Sequence, residues 1–257
     1  MNPEFAYHEL NELYRTLMAR AGGGLRNSYT WGAIHAAHLA RMLGYQRLSL
    51  LEFGVAGGRG LLALERVAAL VGTHWGIDIE VYGFDTGVGL PKPVDYRDLP
   101  NLWTEGQFPM DRKKLEARLE RAHLVIGPIA DTLSGFLGRD PAPIGFVSID
   151  LDLYSSTRDA LELLEASETR LLPRILCYFD DIQGFTFSEF NGERLAIHEF
   201  NERHGRRKLS LIHGMRHFVP PEESQSQWVE LFYMAHLFDH SRYNDFDGLL
   251  RRTRLDI

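Results

Sequence analysis

The sequence predicts an α/β protein with a doubly wound, mostly parallel sheet and N-terminal helices. Three observations predict it. Short, continuous apolar runs recur along the chain, as in strands covered on both faces. Segments with apolar residues at three- and four-residue steps lie between those runs. The first run passes through a glycine-rich turn into such a segment.

The elements follow in order. Residues 1 to about 45 read as two helices, NELYRTLMAR and WGAIHAAHLARML within them, joined by Gly22-Gly23-Gly24. Strands are expected at Leu48 to Phe53, Glu80 to Phe84, His123 to Ile126, Ile144 to Ile149, Arg174 to Phe179 and Leu209 to Ile212. Helices are expected at Leu61 to Val71, Leu115 to Arg121, Thr157 to Ser167 and Glu193 to His204. Residues 91 to 112, rich in Pro, Asp, Trp and Phe, read as either a lid or a long surface loop. The stretch WVELFYMAHLFDHSRY stays open among an apolar strand and helix, a substrate wall and a dimer surface, so a homo-oligomer is allowed for. No linker and no repeat interrupts the chain, so residues 1 to 257 are expected to form one domain.

Composition narrows the function. At 257 residues and 44% hydrophobic content the chain can bury a full core. A net charge of -7 disfavours a nucleic-acid partner, and the basic run Arg251 to Arg254 reads as a solvated helix end. The single cysteine, Cys177, cannot form an internal disulfide, and no apolar stretch reaches membrane-spanning length. A cytoplasmic setting without membrane attachment is expected.

The turn LEFGVAGGRG carries the first chemical signal. In a doubly wound sheet it lies at the carboxyl ends of the strands, where ligands bind. Its glycines do not form G-x-G-x-x-G, because Ala63 stands where the third would be, and no Gly-Lys-Ser/Thr follows. Glu52, inside the strand, needs a cationic or donor partner, such as the ammonium of a methionine moiety. The alternative is a tight turn with Glu52 paired internally. Asp85 ends the next strand, beside Thr86, where an acid can accept from both hydroxyls of a ribose. By itself a turn or cap role is commoner there; with the glycine turn, a nucleoside site is favoured.

An acidic constellation is the second signal. One strand ends in Asp150-Leu151-Asp152, with both carboxylates expected on one side. The next ends in Asp180-Asp181. Converging carboxylates repel unless protonated or bridged by a cation. A hard divalent ion such as magnesium suits oxygen ligands. Asp152 and Asp181 read equally well as caps.

The glycine turn, Asp85 with its Gly-Leu-Pro segment, the Asp-Leu-Asp-Leu-Tyr-Ser-Ser-Thr string and the Asp-Asp pair occur in one order over residues 48 to 190. That order resembles the macrocin O-methyltransferase (TylF-type) family and, more distantly, catechol-type O-methyltransferases. The resemblance implies a Rossmann-like class I methyltransferase fold, S-adenosylmethionine as methyl donor, a magnesium site and transfer to a small-molecule hydroxyl, of a sugar or other natural product. It implies that Glu52, Gly54, Ala56 and Gly60 hold the methionine part, with Asp150 touching that end. Asp85 and Thr86 would hold the ribose, and Gly127-Pro128-Ile129 would pass the adenine. Asp150, Asp180 and Asp181 would bind the metal. Catechol-type enzymes carry a basic lysine three residues after the first metal aspartate; here that position is Leu153. Asp150 and His213 are therefore the expected catalytic residues, with His123 as a further candidate base.

Three rivals remain. An Asp-x-Asp at a strand end also suits a metal-dependent glycosyltransferase. A phosphohydrolase with a nucleophilic aspartate is disfavoured by Tyr154 at the Thr/Val position. A cofactor-binding sensor without catalysis would also lack the lysine.

Overall fold

The computed structural model describes residues 3 to 245; the basic run Arg251 to Arg254 lies outside them. Helices α1 (Pro3–Ala21) and α2 (Asn27–Met42) precede β1 (Arg47–Phe53). Then follow α3 (Arg59–Trp75), β2 (Asp78–Asp85), α4 (Arg112–Glu116), β3 (His123–Ile126), α5 (Ile129–Leu137), β4 (Ile144–Ile149) and α6 (Tyr154–Leu161). The chain closes with β5 (Leu171–Phe179), α7 (Gly192–Arg203), β6 (Arg207–Leu211) and β7 (Phe232–Leu237).

The seven strands form one sheet in the order β3-β2-β1-β4-β5-β7-β6. All run parallel except β7, which is antiparallel to both its neighbours. This is the Rossmann-like methyltransferase arrangement. The central strands are apolar because both faces are covered: β4 is buried at every position, and β1 at every position but its first. From β1 the chain winds outward through α3 to β2, and from β4 in the opposite direction through α6 to β5. Right-handed crossovers then set α3 and α6 on opposite faces. Helix α2 packs beside α3, and α6 lies against α5 and α7. The order reverses between β1 and β4, so the carboxyl ends of these strands flank the crevice where α/β proteins bind ligands.

Several elements differ from the sequence expectation. The stretch left open supplies β7, inserted between β5 and β6, and turns rather than a helix follow it. Helix α4 covers Arg112–Glu116, not Leu115 to Arg121. It starts early because the Asp111 side chain accepts from Lys114 N. Helix α5, which has no counterpart among the expected helices, begins at Ile129, directly after Pro128. Among the described residues no helix is long and apolar enough to cross a membrane.

Candidate functional site

The carboxyl ends of β1, β2, β4 and β5 open onto a cavity of about 600 Å³. Glu52, Gly54, Ala56 and Gly60 line it, as do Asp85, Thr86 and Ile129. Asp150, Asp180 and Asp181 form another part of its wall. His213 does not: it is exposed, just after β6, at the outer edge of the sheet. Insertion of β7 pushes β6 one place outward, and this takes His213 away from the crevice. His123 is exposed at the amino end of β3, opposite the crevice. Among the described residues, no histidine or lysine lines the cavity. Leu153 is fully buried and outside the lining, so nothing basic reaches the site from that position.

Two glycines of the turn are fixed by close approach. Gly54 has φ +86°, and a Cβ there would sit 1.8 Å from the Asp150 carbonyl oxygen. A Cβ on Gly60 would sit 1.7 Å from Glu52 Oε1. The first lets β1 and β4 end side by side; the second lets α3 start against the Glu52 carboxylate.

Glu52 is 2% exposed. Its Oε1 accepts from Tyr29 Oη at 2.7 Å, and its Oε2 is buried without a hydrogen-bond partner. Burial pushes its pKa up to about 8, against the pull of the Tyr29 hydrogen bond and the Arg26 charge. Tyr29 Oη accepts from Ser148 at 2.8 Å and from Arg26 Nη1 at 3.2 Å. Arg26 itself lines the cavity. Tyr29 and Arg26 escape a motif search because they lie far upstream of the glycine turn. A helix start bearing Arg and Tyr was the one available signal.

Asp85 serves the turn directly. Its Oδ2 accepts from Val55 N at 3.0 Å and Ala56 N at 2.8 Å, and its Oδ1 from Gly87 N at 2.7 Å. A carboxylate has about four acceptor positions, so capacity remains on the cavity side. The Thr86 hydroxyl donates to Gly89 O at 2.6 Å and accepts from Val88 N, closing the loop after β2. Ile129 is buried in the first turn of α5 and offers an apolar surface to the cavity.

The acidic groups meet as a close triad of Asp150, Asp152 and Asp181, whose carboxylate oxygens can lie within 4.8 Å of one another. Asp152 stands in this triad where the sequence reading placed Asp180. It gets there through a turn with φ +61° rather than through strand alternation, since β4 ends at Ile149. Its backbone N–H donates to Asp181 Oδ2 at 3.1 Å. Asp180 is exposed on the same wall, with Oδ1 accepting from Tyr178 Oη at 2.8 Å. Burial, and then neighbouring carboxylates, raise Asp150 and Asp152 to about 7 and Asp181 to about 8. Behind them, buried Glu193 on α7 accepts from Asp181 N at 3.0 Å, and its other oxygen has no partner. Such a set of hard oxygen donors, with no salt bridge to any of the three among the described residues, fits a divalent ion.

The segment between β2 and α4 is anchored at its base. Asp98, 1% exposed, accepts from Val94 N at 2.9 Å and from Ser155 N at 2.8 Å and Oγ at 3.1 Å. Gln107 and Phe108 of this segment reach the cavity.

No family model matches the chain, and no curated protein matches it. Solved structures do. CalS11, a calicheamicin methyltransferase, aligns with a TM-score of 0.51 at 25% identity, over 71% of this chain and 74% of that one. The O-methyltransferase NovP aligns with a TM-score of 0.49 at 17% identity, over 69% and 72%. An O-methyltransferase from Bacillus cereus in complex with SAH aligns with a TM-score of 0.42 at 16% identity, over 89% and 90%. By its fold the chain groups with these methyltransferases.

Proposed function

We propose that the protein transfers the methyl group of S-adenosylmethionine to a hydroxyl of a small molecule, in a reaction assisted by a divalent cation such as magnesium. One observation carries this reading: a single cavity at the β1/β4 switch point joins the Glu52–Gly60 turn, Asp85 and the acidic triad. The unpartnered, buried Oε2 of Glu52 fits an ammonium, and Asp85 retains acceptor capacity for a ribose.

The sulfonium activates its own methyl, so the protein must bind the donor and bring an oxygen into line with it. Asp150, Asp152 and Asp181 would hold the cation, with Asp180 beside them; when bound, it polarises and orients the acceptor hydroxyl. The proton of that hydroxyl must pass to a side chain. With no histidine or lysine on the wall, a carboxylate receives it, and Asp150 is our choice. It stands where the glycine turn meets the rest of the acidic wall.

Calorimetric titration with S-adenosylmethionine against UDP-sugars tests the donor. Binding of the former alone is expected, and binding of UDP-sugars alone would turn the Asp-x-Asp site into that of a glycosyltransferase. A library of hydroxylated acceptors tests turnover, and the absence of any methylated product would leave a cofactor-binding sensor.

A further inference from the structure

A methionine moiety presents two charges on one carbon, an ammonium and a carboxylate. Glu52 answers the first. The structure offers one side chain suited to the second. Arg26 lies at the cavity wall with Glu52, and among the described residues the only other cation there is Arg59, within the glycine turn between Gly58 and Gly60. Arg26 and Glu52 do not pair directly. The Tyr29 hydroxyl stands between them, accepting from Arg26 Nη1 at 3.2 Å and donating to Glu52 Oε1 at 2.7 Å. Each group thereby keeps unspent capacity. Glu52 Oε2 is buried and unpartnered, and among the described residues no salt bridge engages the Arg26 guanidinium, which has five N–H donors.

The position of Arg26 is set from both sides. Its carbonyl accepts from Thr30 N at 2.9 Å and Thr30 Oγ1 at 2.8 Å, so it caps the start of α2. Just upstream, Arg66 on α3 donates to Ala21 O at 3.0 Å and Gly23 O at 3.1 Å. The first turn of α2 contains no acidic residue, so the positive end of that helix is not offset locally. An acid and a base bridged by one hydroxyl, both lining one cavity, form a cradle for an α-amino acid.

We propose that Arg26 binds the carboxylate of the methionine moiety, so that Glu52 and Arg26 together read the zwitterionic end of the donor. This rests on the cofactor reading given above. Arg26 is thereby a specificity residue, which favours ligands with the intact amino-acid end over nucleosides that lack the carboxylate.

The test compares S-adenosylhomocysteine with its decarboxylated analogue, which keeps the ammonium. Calorimetry is run on the wild type, Arg26→Gln and Arg26→Lys, with circular dichroism confirming the fold. For S-adenosylhomocysteine, Arg26→Gln is expected to raise Kd about tenfold or more, as loss of a charge-assisted contact does. Arg26→Lys should recover part of that loss. The decarboxylated analogue should lose distinctly less affinity on Arg26→Gln, because Arg26 acts on its ammonium only through its charge on Glu52. Equal losses for both ligands would show that Arg26 acts only through Tyr29 and Glu52, and would overturn the proposal. Unchanged affinity of Arg26→Gln for S-adenosylhomocysteine would overturn it too. A wild type that binds neither ligand would overturn the cofactor reading itself.

Discussion

A buried carboxylate with one oxygen satisfied and one bare is costly to ionise. Glu52 is such a group, and its raised pKa of about 8 links ligand binding to protons. In the free protein it is mostly protonated at neutral pH; an ammonium against Oε2 favours the ionised form. Binding should therefore release up to one proton, and affinity for S-adenosylhomocysteine should rise from pH 6 to pH 8, by at most about tenfold per unit. Calorimetry in buffers of different ionisation enthalpy measures the proton count, and Glu52→Gln should abolish the slope. A slope that survives in Glu52→Gln would move the ammonium elsewhere. The sign for stability is opposite. A folded pKa above the unfolded value contributes stability that is complete below the unfolded pKa of about 4.5 and is lost as pH rises through about 8. Gly54 lines the cavity and also shapes the backbone beneath it. In the structure its Cβ would strike the Asp150 carbonyl, so the damage falls first on the β1/β4 junction. Gly54→Ala should cost about 1 kcal/mol from the left-handed φ alone, and more from the clash. Thermal unfolding measures it, and an unchanged Tm would refute the contact.

At the scale of elements, Asp98 is the piece that ties the segment before α4 to the acidic edge. Its carboxylate links Val94 to the start of α6 at Ser155, which lines the cavity. Asp98→Ala would remove the acceptor of the Val94 and Ser155 N–H groups, at about 1 kcal/mol each. Limited proteolysis within residues 91 to 112 should accelerate, while S-adenosylhomocysteine affinity changes little, because Asp98 itself does not line the cavity. Unaltered proteolysis would mean the segment is held by other contacts. Strands β1 and β4 were legible in the sequence because covered strands must be apolar without interruption. Strand β7 was not, because only half its residues are buried and its run Phe-Tyr-Met-Ala-His-Leu has no clean alternation. Helix α5 was hidden by its short length and by Gly135 within it. The acidic edge was legible as a group but not in detail. Strand period predicts where Asp152 points only if the strand continues, and β4 stops at Ile149. The left-handed turn that brings Asp152 to Asp150 depends on the tertiary contact with Asp181. His213 was misjudged for a similar reason, since a strand's place in the sheet order is not written in its own residues.

Over the whole molecule, the sheet divides the proposed site into a donor half on β1 and β2 and an acidic half on β4 and β5. That division makes metal binding and donor binding separable. The acidic half carries carboxylates that repel one another, so a cation held there would strengthen the fold. At pH 8, magnesium should raise the Tm of the wild type in a concentration-dependent way. Asp181→Asn should be as stable as the metal-free wild type or more so, since the amide oxygen can still accept from Asp152 N while one repelling charge is gone. Added magnesium should shift its Tm far less, so the order of stability reverses between chelator and magnesium. Affinity for S-adenosylhomocysteine should stay within about threefold of wild type, because the contacts of the donor half are untouched. That is a change of about 0.7 kcal/mol or less, too small for a lost hydrogen bond to a charged group. Turnover, once an acceptor is in hand, should fall in chelator and in Asp181→Asn together. Full activity in chelator would remove the cation from the reaction and leave a carboxylate to act alone. Loss of donor affinity in Asp181→Asn would show that the two halves of the cavity are one.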